Sequence, residues 1–244
     1  MYKIVIPSHN RADILLNKTI KYLSKTDVVL SNIYVFVLNN EYDEYRKVLP
    51  PLINIIRNPA HCIGIQYQRN FIRDYFDKDE YIIRFDDDIE ELGILNNKNE
   101  PMPFYNLHGF FEYAFDVLCD NLTTLWGFNN SSNPFFLKNR PSVYLKSNYV
   151  RSGVCGYIND KDMLITNIYD DVQHSLYVRN NNNIIVRFDR IFLKTKQCKQ
   201  GGFVEIRKNK KKYYEYTLDL MKEYPQYIKE IVEQNNYIPY KFIF

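Results

Sequence analysis

Strand-forming and helix-forming segments alternate through the first third of the chain, and this alternation restricts the fold more than any other feature. Apolar runs typical of buried strands occur at residues 4–6, 33–38, 53–56 and 81–85, and helical stretches separate them. Strands joined by helices favour a parallel sheet with helices packed on its faces. We therefore predict an α/β fold with a mainly parallel central sheet flanked by helices.

Three consecutive carboxylates, Asp86, Asp87 and Asp88, follow the fourth of these strands directly. Their mutual repulsion is costly unless water, basic side chains or a cation offsets it. Oxygen ligands at the end of a strand suit Mg²⁺ or Mn²⁺, which also bridge phosphate oxygens. On the triplet alone, a metal site and a solvated turn are equal alternatives, because acidic turns are common.

Polar residues also follow the first and second strands, at residues 7–11 and 39–41. Ligands bind at the carboxyl ends of the strands in parallel sheets, so these segments are expected to meet the Asp triplet at one edge. That agreement favours the metal site over the solvated turn. The chain has eight glycines and neither GxGxxG nor GxxxxGK, so a bound nucleotide would be held by side chains and a metal ion.

A second acidic pair, Asp170 and Asp171, precedes a helical pattern that places Val172, Leu176 and Arg179 on one face. A helix dipole favours ionised carboxylates at this end. An ordinary N-terminal cap is the simpler interpretation of the pair taken alone.

The remaining segments are read from their apolar patterns. Residues 107–122 and 213–235 are predicted as helices, and residues 184–194 as strand. Trp126 is expected in the core, with a substrate wall as the alternative. The basic run at residues 207–212 is either a solvated turn or a contact for nucleic acid phosphates.

Composition narrows the class of protein. Four cysteines without a CxxC pair predict reduced thiols rather than a zinc site or a disulfide framework. The net charge of +3 is too small to imply nucleic acid by itself. No apolar run approaches 18 residues, so we expect no signal peptide, no membrane span and a cytoplasmic location. Abundant Asn, Ile, Lys and Tyr favour an A/T-rich genome, such as that of a virus or phage.

The motifs together resemble GT-A glycosyltransferases of the family-2 kind. Residues 4–11 resemble their opening strand and loop, and Gly64 with residues 68–70 resembles their "G…RN" helix. Residues 86–88 resemble the metal-binding DxD motif. Residues 170–176 resemble the "ED-x-x-x-S-L" segment that carries the catalytic base.

A narrower similarity is to the TET-associated and phage glycosyltransferases proposed to modify hydroxymethylated pyrimidines in DNA. Residues 68–70, 86–88, 126–127 and 133–136 carry it. Two features depart from the wider family. Asp170 stands where the first acid is usually Glu, and the Q-x-x-R-W motif of processive synthases is absent. The second departure argues for transfer of a single sugar to a discrete acceptor.

The resemblance implies a role for each candidate residue. Asp86 and Asp88 would hold Mn²⁺ or Mg²⁺, and Asp171 would be the general base of an inverting transfer. Asp170 is the alternative base, and a retaining outcome stays open. The nucleotide-sugar, expected to be a UDP-sugar, would contact Pro7, Ser8, Asn10, Arg11, Glu41, Arg69, Asn70 and Asp87. The acceptor would contact Trp126, His174, Arg179, Lys210 and Lys211.

The resemblance also implies one GT-A domain over residues 1–244. Residues 1–95 or so would bind the nucleotide, about 96–206 the acceptor, and about 207–244 would add the basic run and a closing helix. A hydroxymethylpyrimidine in DNA is the expected acceptor, a viral or cell-surface glycan is the alternative, and no feature fixes an oligomeric state. A GT-A-like nucleotidyltransferase and a non-catalytic binding module are further rivals. Two retained acidic clusters argue against the last, because unused clustered charge is costly.

Overall fold

A computed structural model gives the architecture of residues 1–242, and the residues left undescribed within it are 130, 132, 148, 151–152, 182, 195–209 and 231–239. The strands are β1 (Tyr2–Pro7), β2 (Ile33–Leu38), β3 (Asn54–Asn58), β4 (Tyr81–Phe85), β5 (Glu91–Leu95), β6 (Pro101–Pro103), β7 (Leu125–Phe128), β8 (Tyr144–Ser147), β9 (Val154–Ile158), β10 (Ile185–Phe188), β11 (Ile191–Lys194), β12 (Ile228–Glu230) and β13 (Tyr240–Phe242). The helices are α1 (Ala12–Leu15, continued by a π-helical turn at Leu16–Ile20 and by Lys21–Leu23), α2 (Tyr42–Val48), α3 (Ile65–Tyr75), α4 (Leu107–Asp120), α5 (Asp170–Asn180) and α6 (Lys210–Glu223).

An eight-stranded sheet in the order β3-β2-β1-β4-β9-β7-β10-β8 forms the centre of the fold. The first four strands are parallel, as the alternating pattern predicts. The second half is mixed, because β9 runs antiparallel to both of its neighbours and β8 runs antiparallel to β10. As a result β7 and β10 point the same way as β4, and their carboxyl ends lie at the edge that carries the Asp triplet.

Helices cover both faces of this sheet, so alternate residues of its central strands are buried in different clusters. Along β1, Ile4 and Ile6 pack into the larger cluster and Val5 into the other. The larger cluster lies on the side of the sheet that α4 covers. Helix α3 covers the opposite side, where Ile72 belongs to the smaller cluster. Burial on both faces explains why these strands read as continuous apolar runs.

Trp126 lies at the centre of the larger core. It is fully buried and packs against the rings of Phe110, Phe111 and Phe115. Its place confirms the core interpretation and corrects the speculative assignment of Trp126 to the acceptor site. The indole also fills the space beside Gly156 on β9, where a Cβ would lie 2.2 Å from a ring atom.

Gly156→Ala is expected to lower the free energy of unfolding by about 1–3 kcal/mol, because the added methyl group would overlap the Trp126 ring and overpack the core. Chemical denaturation measures the change. Gly109→Ala is the matched control: it lies in α4, and its nearest atom would be a side-chain oxygen of Asn106 at 3.3 Å. The control should be neutral or stabilising, since alanine favours helix over glycine. Equal stability of Gly156→Ala and the wild type would contradict this packing.

Two predictions from the later part of the chain were wrong in extent. Residues 184–194 form two strands of different sheets, because a turn at Asp189 and Arg190 separates β10 from β11. The last helix starts at Lys210, within the basic run, and ends at Glu223 rather than near residue 235. Pro225 accounts for this end, since proline disfavours helix in the residue before it.

A three-stranded sheet in the order β11-β5-β6 packs beside the central sheet. Its middle strand, β5, begins three residues after Asp88. The glycine pair at 201–202 and residues 207–209 of the basic run lie outside the described residues. Within the part of the chain that is described, no helix is long and apolar enough to cross a bilayer.

Candidate active site

The loop after β1 is tied to the Asp triplet by a network around Asp87. Asp87 is buried and accepts a hydrogen bond from Ser8 Oγ at 2.8 Å, while Arg11 Nη1 lies 2.7 Å from its other oxygen. Burial raises the pKa of Asp87, against the lowering effect of Arg11 and Ser8. Asp87 and Ser8 were predicted to bind the donor. Their bonds hold the β1 loop against the end of β4, and their contact with the donor stays a prediction.

Asp88 shares the same arginine. Its Oδ2 accepts a hydrogen bond of 3.0 Å from Arg11 Nη2, and its side chain is 20% exposed. Arg11 therefore spans the last two acids of the triplet. One guanidinium group offsets part of the repulsion that made the triplet costly as a sequence.

Asp86 is the most open member of the triplet, with 48% of its side chain exposed. Loss of hydration nevertheless raises its pKa to about 7, with Arg69 and Arg84 lowering it and Asp170 and Asp88 adding to the rise. Its backbone N–H donates to Gly153 O at 2.7 Å. A Cβ at position 153 would lie 2.8 Å from Asp86 Oδ2, so glycine there makes room for the carboxylate.

Asp86 and Asp88 are the partly exposed carboxylates of the triplet, and together they could hold a divalent cation that also has a phosphate ligand. Among the described residues, no group of three or more His, Cys, Asp and Glu side chains could enclose a metal ion. Mg²⁺, however, is commonly held by one or two carboxylates together with substrate phosphates. A cation beside Asp86 would also stabilise its ionised carboxylate and so lower its pKa.

Arginine side chains link the second acidic cluster, Asp170 and Asp171, to the Asp triplet. Asp170 Oδ2 accepts hydrogen bonds from Arg69 Nε at 2.7 Å and from Arg84 Nη1 at 2.9 Å. Arg69 Nη2 also lies 3.8 Å from Asp86 Oδ1. Burial would raise the pKa of Asp170, but the two guanidinium groups outweigh it and hold that pKa below its usual range. Arg69, predicted to contact the nucleotide-sugar, thus lies between the two clusters.

The two acids of this pair have different surroundings. Asp170 is buried and engaged by two arginines, so protonating it would break charge-assisted hydrogen bonds. Asp171 is partly exposed, and its Oδ1 accepts a hydrogen bond from the backbone N–H of Val172 at 2.8 Å. Asp171 is thus the more exposed of the two carboxylates.

Buried polar side chains fix the start of α5. Gln173 Oε1 accepts hydrogen bonds from the backbone N–H groups of Thr166 and Asn167, both at 2.9 Å. Asn70 of α3 bonds both the N–H and the C=O of Ile165, at 2.9 and 2.7 Å. Asn70 was expected to contact the donor. Its two bonds instead hold the segment that leads into α5.

Of the residues predicted to contact the acceptor, His174 and Trp126 are buried, and Arg179 lies at the far end of α5 from Asp171. His174 is buried edge-on against Tyr157, and burial, followed by the positive charge of Arg84, lowers its pKa to about 3. Arg179 is at the far end of α5, about 12 Å from Asp171 at 1.5 Å per residue. Trp126 is in the core. Lys210 and Lys211 are in the first turn of α6, and their side chains lie outside the described residues.

The loops at the ends of β2 and β3 contain polar atoms without partners. Glu41 is buried, and its Oε1 accepts from Asn10 N at 3.2 Å and lies 2.5 Å from His9 Nδ1. Its Oε2 has no hydrogen-bond partner among the described residues. Asn58, the last residue of β3, is 1% exposed, and neither of its amide atoms has a partner within the described part of the chain.

Asn58 is a candidate that the sequence analysis missed, because the third strand was predicted to end at residue 56. An unpaired buried polar group costs about 1–3 kcal/mol, so such groups are usually satisfied by water or by a ligand. The signal available in the sequence was an asparagine at the carboxyl end of a strand and before Pro59.

The family model described as TET-Associated Glycosyltransferase matches residues 2–203. No curated protein matches the chain. Among solved structures, the mannosyltransferase PcManGT from Pyrobaculum calidifontis, in complex with GDP-Man and Mn²⁺, is similar with a TM-score of 0.56 and 9% identity, over 91% of this chain and 64% of that one. TarS from S. aureus in complex with UDP-GlcNAc gives a TM-score of 0.54 and 10% identity, over 90% of this chain and 66% of that one.

At these identities the likeness is one of fold. The chain spans just under two thirds of the length of both structures. Each of these two structures contains a nucleotide-sugar.

Proposed function

This chain belongs to the TET-associated glycosyltransferase family, and from that premise we propose that it is a metal-dependent glycosyltransferase that moves one sugar from a nucleotide-sugar to an acceptor hydroxyl. The acceptor we propose is a 5-hydroxymethylpyrimidine in DNA. The observation that carries the proposal is the position of Arg69, which lies 2.7 Å from Asp170 and 3.8 Å from Asp86. It joins the two acidic clusters into one site.

In this proposal the nucleotide-sugar donor lies over the carboxyl ends of β1, β2 and β3. Structures of the same fold with GDP-Man and with UDP-GlcNAc support a nucleotide-sugar there. Asn10 is exposed and its backbone N–H donates to Glu41 on this side of the site, whereas Pro7, also predicted to contact the donor, is buried. The side-chain amide of Asn58 is buried beneath this side of the site and offers both donor and acceptor atoms, which the edge of a nucleobase requires. We expect a UDP-sugar, with Asn58 and Glu41 Oε2 at the base.

Asn58→Leu is expected to raise the KM for the donor about 2- to 10-fold, the value of one or two hydrogen bonds, with little change in kcat. The same change should raise the free energy of unfolding of the donor-free protein by about 1–3 kcal/mol, because it removes unpaired buried polar atoms. Steady-state kinetics and denaturation measure the two effects.

Asn54→Leu at the other end of β3 is the matched control. Its Nδ2 donates to Ser31 O and Ile33 O, at 2.8 and 3.2 Å, so this change should lower stability and leave the donor KM unchanged. An Asn58→Leu variant that loses stability and keeps its donor KM would mean that Asn58 is structural.

Asp86 and Asp88 would hold Mn²⁺ or Mg²⁺, which when bound would stabilise the negative charge of the departing diphosphate. Arg69 adds a fixed positive charge on the side of Asp86. Arg11 keeps Asp88 in place from the other side, through its bonds to the last two acids of the triplet. The chain itself therefore supplies two carboxylates and two guanidinium groups around the position of the diphosphate.

In the proposed transfer, the acceptor hydroxyl oxygen bonds to the anomeric carbon while the bond from that carbon to the diphosphate oxygen breaks. The transition state has oxocarbenium-like charge on the sugar. Asp171 takes the hydroxyl proton as general base, and the configuration at the anomeric carbon inverts. Asp170 is assigned a positioning role, since Arg69 and Arg84 hold it and with it the first turn of α5.

A donor screen with Mn²⁺ and an oligonucleotide containing 5-hydroxymethylcytosine tests this function. We expect release of one nucleoside diphosphate and a mass increase of one sugar on the DNA. Transfer to a free oligosaccharide but not to modified DNA would favour the glycan acceptor instead. Release of pyrophosphate would indicate nucleotidyl transfer.

A further inference from the structure

Two exposed phenylalanines follow β7 in the chain, and the carboxyl end of β7 lies at the same edge of the central sheet as the Asp triplet. Phe135 and Phe136 belong to a 3₁₀ turn at Pro134–Leu137 that follows β7, and they are 66% and 61% exposed. Their rings are 5.6 Å apart and nearly perpendicular. We call them the Phe pair. Adjacent exposed aromatic side chains are costly in water and often mark a binding surface.

The turn beneath the Phe pair is firmly anchored. Leu137 is fully buried in a cluster with Leu95 and Phe192, the side chains of β5 and β11. Asn133 Oδ1 accepts a hydrogen bond from Phe135 N at 3.0 Å and caps the turn. The two rings are therefore held outward by a fixed backbone, so their exposure is a feature of the fold.

The surroundings of the Phe pair are basic. The ammonium group of Lys138 lies 5.6 Å from the centre of the Phe135 ring. Arg140, whose side chain is 46% exposed, donates from Nε to Phe136 O at 2.9 Å, and its Nη1 lies 3.6 Å from the buried carboxylate of Asp189. The sequence has no Asp or Glu between Asp120 and Asp160, where the average of 29 acids in 244 residues would give about four or five.

We propose that the Phe pair stacks against an unpaired base of the acceptor DNA, with Lys138 and Arg140 beside the adjoining phosphates. Flat apolar rings beside a lysine and an arginine match the two parts of a nucleotide, an aromatic face and a negative backbone. The inference rests on the proposed DNA acceptor and adds to it a second contact, outside the site of transfer.

The spacing along the chain gives an estimate of how far the Phe pair lies from the Asp triplet. β5 begins three residues after Asp88 and ends at Leu95, which packs on Leu137. Five strand residues span about 17 Å, the length of about five stacked nucleotides. The Phe pair therefore contacts a flanking base a few nucleotides from the one that is modified, and short acceptors should not reach it.

The test compares a 15-nucleotide single strand with a trinucleotide, each carrying one 5-hydroxymethylcytosine, as acceptors for the full chain. The variant is Phe135→Ala/Phe136→Ala. The matched control is Leu52→Ala/Leu122→Ala, which removes two exposed apolar side chains that precede β3 and β7 and so lie at the opposite edge of the sheet. A series of 15-nucleotide strands with one abasic position each locates the stacked base.

We expect the Phe variant to raise the KM for the long strand about 5- to 100-fold, the effect of losing a stacked base, and to leave the trinucleotide and kcat unchanged. One abasic position should raise the wild-type KM by a similar factor and have no further effect in the variant. The control should match the wild type.

An unchanged KM for the long strand in the Phe variant, with an active wild type, would overturn the Phe pair as a DNA contact. So would a KM that rises equally for both acceptors. If instead the wild type modifies neither strand, the DNA acceptor of the proposed function fails, which is a different result from the same experiment.

Discussion

Replacing Asp171 by asparagine is expected to lower kcat by about 10²- to 10⁴-fold while the KM for the donor stays near its wild-type value. This is the usual contribution of a general base, and an amide of the same shape cannot take the proton of the acceptor hydroxyl. Because Asp171 is partly exposed at the start of α5, the free energy of unfolding should change by less than about 0.5 kcal/mol. Initial rates at saturating donor, together with denaturation curves, measure both quantities.

Asp170→Asn serves as the comparison. It leaves two buried arginines with a weakened partner, so we expect a loss of stability of about 3–5 kcal/mol. Adding Arg84→Met to it should restore part of that stability, since the uncompensated charge is then removed. A large fall in kcat for Asp170→Asn without a loss of stability would make Asp170 the base. Loss of donor binding with a normal kcat in Asp171→Asn would make Asp171 a binding residue.

Removing the divalent ion should have an effect at least as large. We expect EDTA to abolish transfer and added Mn²⁺ or Mg²⁺ to restore it, because two carboxylates and two arginines are left to face a diphosphate that becomes more negative as it departs. Asp88→Asn should lose most activity, since a neutral amide is a weak ligand for a hard dication. It should also bind Mn²⁺ more weakly in the presence of a nucleoside diphosphate, which calorimetry measures without turnover.

Asp77→Asn is a suitable control for this series, because it removes one exposed carboxylate that precedes β4 and so lies at the opposite edge of the sheet from the triplet. It should keep both its activity and its Mn²⁺ affinity. Full turnover of the wild type in EDTA would exclude the assignment of Asp86 and Asp88 to a metal.

The sequence predicted the parts of this molecule that depend on local pattern. The first four strands and the position of the triplet after β4 follow from short apolar runs and the acids that end them. The parallel order follows from the helices between them. The motifs at residues 68–70 and 170–176 indicated the same family that the family model matches. Each of these inferences uses residues that are close in the chain.

The surroundings of the individual side chains could not be predicted, because they depend on partners distant in the chain. Asp170 and Asp171 are neighbours, yet only the packing of α5 against Arg69 and Arg84 decides which of them is buried. His174 was predicted to contact the acceptor, but the fold buries it against Tyr157. Asn58 attracted no notice, because an asparagine ending a strand is ordinary until its burial is known.

The bonds of Asp170 also bear on the order of events during synthesis and folding. They join residues separated by 101 and 86 positions, so the two acidic clusters meet only when most of the chain is available. Closing such long loops is slow compared with forming the helices and the first β-α-β units. An incomplete chain emerging from the ribosome would thus possess the Asp triplet without the proposed base. Such a chain could not transfer a sugar, and we expect activity only after the complete fold has formed.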